Sequence, residues 1–238
     1  MVMIKLRCKL GEEAATLCVR ITTSSPTISL SALESQFNST SPSPILQLSI
    51  HISTKTSLHP SRPLTFCTSG TIFTTSRPAE GHIDALALGP LGPGLVHTKA
   101  DGSHKSISLG NLRIHRARQA NDSAPNLLER PDTSFITVPS QASGEECVVT
   151  HDISAARLFA FAEQVSPEDL RVGETYAVRL REDYLGTMWW CWGGLEGELK
   201  GRKLHAFSEG FCCAGGEERP SEEEGWVIGE DVARLVFE

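Results

Sequence analysis

The sequence predicts an all-β protein, an immunoglobulin-like Greek-key sandwich with a partly irregular C-terminal tail and one short helix, and three observations predict it. Segments rich in Val, Ile, Leu and Thr alternate apolar and polar residues, the pattern of a strand with one face buried. Proline and glycine bracket those segments where the chain must turn. A turn glycine, Gly173, precedes Tyr176, Val178 and Leu180 at alternate positions. That spacing resembles the tyrosine corner of a late sandwich strand, whose hydroxyl bonds back to upstream backbone, here near Leu170 or Val172.

The elements follow in chain order. Residues 3–8, 16–22 and 27–33 alternate as strands. In residues 45–52 the alternation is unbroken: Leu46, Leu48, Ile50 and Ile52 share one side, and Gln47, Ser49 and His51 share the other. Pro42 and Pro44 precede this strand, and Pro60 and Pro63 separate it from a short apolar run at residues 64–67. Further apolar pieces lie at residues 83–88, 95–97 and 107–114, divided by Gly-Pro and Asp-Gly turns. The polar, proline-containing stretch 119–133 reads as a long surface loop, or as the boundary between two smaller sandwiches. Residues 134–138 and 146–153 are strands. Ser154 caps a helix over residues 155–165, and Ser166-Pro167-Glu168-Asp169 starts one further turn. The division expected is an extension or edge strand at 1–14, a sandwich over 15–192, and a tail at 193–238 packed on it.

Composition excludes several classes of function. No run reaches the roughly 18 apolar residues of a membrane span, and residues 1–10 lack the apolar centre of a secretory signal. The seven cysteines show no framework spacing, so reduced thiols in the cytoplasm or nucleus are expected, with no disulfide and no metal. The net charge is −7, with the densest acidic run at Glu217, Glu218, Glu222, Glu223 and Glu224. Only Arg113, His115, Arg116 and Arg118 approach a basic track, so no nucleic-acid partner is expected. The glycines at 89, 92 and 94 imitate a phosphate loop, but Pro90 and Pro93 remove amide donors and no Gly-Lys-Ser/Thr follows, so no cofactor is expected either.

The candidate chemistry lies in residues 184–213. Three of the four tryptophans fall here; on a strand Trp190 and Trp192 share one face, and Trp189 and Cys191 share the other. They form either an aromatic surface for a ligand or a strand buried on both faces, and the buried strand is the reading adopted. Cys191, His205, Cys212 and Cys213 invite a zinc test, which fails on geometry because vicinal cysteines rarely chelate one tetrahedral ion together. A cysteine nucleophile could be served by His151 with Asp152 or by His205 with Glu209, and nothing in the sequence selects between them. Glu196 and Glu198 stand two apart and so project to one side, about 7 Å between their Cα atoms, which does not oppose them across a substrate.

Residues 27–33, Pro125-Asn126-Leu127-Leu128-Glu129-Arg130-Pro131, Val149-Thr150-His151-Asp152-Ile153, Tyr184-Leu185-Gly186-Thr187 with Trp189-Trp190-Cys191-Trp192-Gly193, and residues 195–201 together resemble an uncharacterised family of intracellular proteins from filamentous fungi. The resemblance covers the chain from about Pro26 onward and implies no activity, partner or site residue. It departs at Gly193-Gly194, where the family usually has glycine followed by an acidic residue. The expected function is a non-enzymatic domain that binds another protein through loops or an edge strand. The rival is a hydrolase or thiol enzyme centred on residues 184–213, which would bring Cys191, Glu196 or His205 together with a second titratable group in a pocket. A proteinase inhibitor presenting residues 89–94 is a third possibility, by fold analogy.

Overall fold

The computed structural model describes residues 2–7, 13–37, 39, 43–68, 71–74, 94–109, 126–129, 134–160, 165–179, 190–204, 227–228 and 233–238. The described chain is predominantly β, with two helices. Its centre is β4, Pro44–Ser57, which buries Leu46, Leu48, Ile50 and Ile52 on one face and turns Gln47, Ser49 and His51 to the other. Antiparallel neighbours flank it: β2, Glu13–Thr23, contributes Ala15, Leu17 and Val19 to the same inner face, and β9, Cys147–Ser154, contributes Val149, His151 and Ile153. With β1, Val2–Arg7, and β12, Val227–Ile228, the first sheet runs β12-β1-β2-β4-β9.

A strand of 14 residues spans about 45 Å, more than one ordinary facing strand can cover. Two sheets lie side by side against it. The second sheet joins β3 (Thr27–Ile28), β13 (Arg234–Phe237), β10 (Thr175–Arg179), β6 (Gly94–Thr98) and β7 (His104–Ser108) in that order. It closes a core with Leu46, Leu48 and Ile153. The third sheet joins β11 (Trp190–Trp192), β5 (Leu64–Cys67) and β8 (Phe135–Val138), and closes a core with Ile50, Ile52, Val149 and Val19. Ile21 packs against both cores and marks where they meet.

Three elements differ from the sequence reading. Residues 27–33 do not run on as a strand: β3 stops at Ile28 and α1 spans Leu30–Phe37. The Ser29 hydroxyl accepts from the Ala32 amide at 3.3 Å, so an N-cap interrupts the alternation and Leu33 reaches the core from a helix. The second helix, α2, spans Ala155–Phe159, shorter than expected, with Ser154 accepting from the Arg157 amide as its cap. The chain beyond residue 192 is more than a packed tail, because β13 pairs antiparallel with β10 and parallel with β3, an interior place in the second sheet. Leu235 and Phe237 are fully buried there, and the alternation with exposed Arg234 is the same period-two signal used elsewhere. The apolar piece at residues 83–88 and the loop at 119–125 lie outside the described residues.

Tyr176 is fully buried on β10, edge-on to Phe237 with ring centroids 5.1 Å apart. Its hydroxyl donates not to backbone near 170–172 but to Glu174 Oε2, at 3.1 Å. Glu174 lies two residues earlier, immediately before β10 begins, and its carboxylate takes the place of a backbone acceptor. That carboxylate also accepts from Lys105 Nζ at 2.9 Å and from the Arg171 amide at 3.2 Å, and Lys105 reaches the Asp169 carbonyl as well. The result ties β7, β10 and the turn at Pro167–Asp169 together. Burial pulls the Glu174 carboxyl upward, but the donors from Lys105, Arg171 and Tyr176 outweigh it and leave the group below the usual glutamate range. Burial and the neighbouring carboxylate hold the Tyr176 phenol well above its ordinary value.

Tyr176→Phe is expected to cost about 1 to 2 kcal/mol in urea unfolding, because Glu174 keeps its other two donors. The depressed Glu174 pKa stabilises the fold above the unfolded glutamate value and loses that contribution as pH falls below about 4. Glu174→Gln should therefore melt lower than the parent at neutral pH and show a flatter fall in Tm on acidification; parallel acid profiles would contradict the assignment.

Candidate functional site

The tryptophan strand is enclosed on both faces. In β11, Trp190 stands opposite Phe66 and Trp192 opposite Leu64 on β5. The two indoles meet edge to face at 5.6 Å and are 7% and 6% exposed, within the core of Phe66, Phe73, Ile50 and Ile52. The His59 ring meets Trp192 edge-on at 5.0 Å. Cys191 faces the other way, fully buried among Leu127, Leu199 and Leu204. These tryptophans are core residues, and Cys191 is buried in a second core on the opposite face of the strand. Trp189, His205, Cys212 and Cys213 lie outside the described residues.

The second face of β11 is covered because residues 193–204 fold back over it. Gly193 makes the first bend at φ +113°, where a Cβ would come within 3.1 Å of both Glu198 Cβ and Leu199 Cγ. Its amide donates to the Pro63 carbonyl at 2.8 Å. A one-way chain of hydrogen bonds holds the next residues: the Leu195 amide donates to Thr137 Oγ1, Thr137 to Thr65 Oγ1, and Thr65 to the Gly193 carbonyl, at 3.1, 2.9 and 2.7 Å. Each hydroxyl donates once and accepts once, which satisfies the fully buried Thr65. At the far end the Leu204 amide donates to Asn126 Oδ1 at 2.9 Å, and the Leu127 amide donates to the Leu204 carbonyl.

The other nominated groups do not converge. His151 and Asp152 point to opposite faces of β9: His151 is fully buried and donates from Nε2 to the Ile72 carbonyl at 2.7 Å, whereas Asp152 is exposed and accepts from Gln47. Glu196 and Glu198 lie on a run of turns, not a hairpin, with the Leu199 and Gly197 amides both bonded to the Gly194 carbonyl. Glu198 is paired with Arg62, whose Nε donates to both oxygens and keeps the carboxyl below its usual range. Glu196 is exposed to solvent, with Lys200 Nζ 3.6 Å away. None of Cys18, Cys67, Cys147 and Cys191 is in a disulfide, and no group of metal-ligating side chains occurs among the described residues. No helix among the described residues is long and apolar enough to cross a membrane.

Two arrangements were not legible beforehand. The first is an open cleft of about 410 Å³ between Pro63, Thr137 and residues 194–198. Its floor is bare because Gly194 has no side chain: a Cβ there would lie 3.4 Å from Thr137 Cγ2 and 3.5 Å from Pro63 Cγ, in ordinary contact. Glu196 and the Arg62–Glu198 pair stand at its rim. The second is on the outer face of the first sheet, where Thr22 Oγ1 is 2.9 Å from His51 Nε2, His51 Nδ1 is 3.0 Å from Glu146 Oε2, and Arg20 donates to the same carboxylate oxygen at 2.9 Å. Period-two alternation places Thr22 and His51 on the outer face, but nothing local pairs residues from β2, β4 and the segment just before β9.

Trp190→Ala and Trp192→Ala are each expected to cost roughly 3 to 5 kcal/mol, the usual effect of emptying a large aromatic site in a core. Thermal melts within a few degrees of the parent would contradict that placement. The chain matches no known protein family, no curated protein and no solved structure, so the functional reading rests on these residues.

Proposed function

We propose that the protein is an interaction domain that takes a short extended segment of another protein into the cleft beside Gly194. The observation that carries this reading is the cleft's construction: an apolar wall of Pro63, the Thr137 methyl and Leu195, a floor without a side chain, and a carboxylate rim. Such a site fits one apolar side chain of the partner, with a neighbouring Lys or Arg meeting Glu196, whose own cationic neighbour is distant and solvated. The Thr65–Thr137 hydrogen bonds and the Gly193 bend fix the wall before a partner arrives, which lowers the ordering cost of binding. The cleft is open, as a surface that meets a polypeptide is, in contrast to the enclosed pockets that surround small ligands.

The proposal extends to a partner in the cytoplasm or nucleus, supported by seven cysteines without a disulfide spacing, and to the fungal family resemblance, which supplies no partner of its own. The sandwich is read as immunoglobulin-like on the buried Tyr176 that follows the Gly173 turn.

Selection of a random peptide display library on the purified protein tests the reading. Recovered peptides should pair an apolar residue with an adjacent Lys or Arg. Gly194→Leu puts a side chain on the floor, where a Cβ meets the Thr137 methyl and Pro63 and no backbone atom, and should weaken the best peptide at least about 10-fold, the effect of losing one good apolar anchor, in a variant that still melts cooperatively. Peptides that bind Gly194→Leu as well as the parent, or a selection that yields no binder, would overturn it.

A further inference from the structure

We propose that Thr22 is a nucleophile activated by His51, an acyl-acceptor site on the outer face of the first sheet that takes its acyl group from activated esters or thioesters. Three groups from three separate segments line up in the required order. A carboxylate only accepts, so the contact between Glu146 Oε2 and His51 Nδ1 places the imidazole proton on Nδ1. In the neutral ring Nε2 is then the acceptor, and it receives the Thr22 hydroxyl at 2.9 Å. Hydroxyl, imidazole and carboxylate in this sequence are the arrangement that raises the nucleophilicity of an alcohol.

The surroundings favour reaction over a passive surface ladder. His51 keeps 18% of its side chain exposed, enough for its proton to exchange with solvent, while the strands on both sides fix the ring. Arg20 lies opposite His51 in register and donates to the same Glu146 oxygen, which fixes the carboxylate as well. Ser49 lies directly opposite Thr22 on β4, with its hydroxyl 3.5 Å from that of Thr150 on β9, so one further hydroxyl neighbours Thr22 across the strand pair on the same face. Among the described residues β1 pairs with β2 as far as Val19, so at Thr22 the ladder occupies the strand from the β4 side, and the Ser49 hydroxyl is the neighbouring side-chain donor for the oxyanion.

In the reaction, Thr22 Oγ1 bonds to the acyl carbon as its proton passes to His51 Nε2. The bond from that carbon to the leaving group then breaks. The proton leaves with the alcohol or thiol, or passes to water when the leaving group departs as a stable anion. Thr22 and His51 are the catalytic residues; Glu146 and Arg20 position them.

The test uses the full chain and p-nitrophenyl acetate, with release of p-nitrophenolate followed in time and the acetylated residue located by peptide mass mapping. A burst of one equivalent per chain with the acetyl group on Thr22 is expected. Thr22→Val and His51→Gln should lower its rate at least about 100-fold, the range in which a positioned general base contributes. Thr22→Ser, which keeps the hydroxyl, should retain it. Glu146→Gln should slow the burst and move its pH profile, and Glu146→Asp should restore both, a pattern that loss of structure alone does not give. Acetylation confined to lysines, or equal Thr22 labelling in the parent and His51→Gln, would overturn the proposal. If Thr22→Val fails to fold, the parent, Thr22→Ser and His51→Gln decide between the same outcomes.

Discussion

The structure depends on one apolar face that is too long for one partner. Leu46, Leu48, Ile50 and Ile52 follow one another down β4, each fully buried and each contributing roughly 1.5 to 3 kcal/mol of burial. The first two belong to one core and the last two to another. Because the side chains alternate strictly, a one-residue slip of β4 would expose all four and leave both cores without a wall at once. The pairings with β2 and β9 fix that register, and the two covering sheets are placed by it. The outer face is fixed by the same pairings, which is why Thr22, His51 and Glu146 can meet there with hydrogen-bond geometry.

Much of this was legible in the chain. The alternation in residues 45–52 gave β4 its inner face, the Ser154 and Ser166 signals gave a helix start and a capped turn, and the glycine before Tyr176 gave a buried tyrosine. What the alternation could not show is how the inner face is divided, because a period of two says which side chains are buried and nothing about what buries them. The helix at Leu30–Phe37 was missed for a local reason. Thr27, Ile28, Ser29 and Leu30 alternate as a strand does, and the competing signal is a single Ser29 hydroxyl capping Ala32.

The sites were less legible than the fold, since both candidate surfaces join residues far apart in sequence. The cleft needs Pro63, Thr137 and Gly194 in contact, and the outer-face cluster needs β2, β4 and the segment just before β9. In the tryptophan region the alternation favoured a strand buried on both faces, and the packing gives Trp190 and Trp192 to one core and Cys191 to another. Gly193-Gly194 makes that enclosure possible. The first glycine turns the chain back over β11, and the second leaves a gap on the surface that the turn creates.

The place of β13 sets the order in which the protein can be made. This strand lies between β3 and β10, so the second sheet joins residues 27–28 to residues 175–179 only through residues 234–237. A nascent chain emerging at about 5 to 20 residues per second exposes Leu46 and Leu48 for many seconds before the strand that completes their cover is synthesised. The third sheet needs nothing beyond residue 192 for its own pairing, so its half of the β4 face can close first. Folding is thus split in time along a single strand.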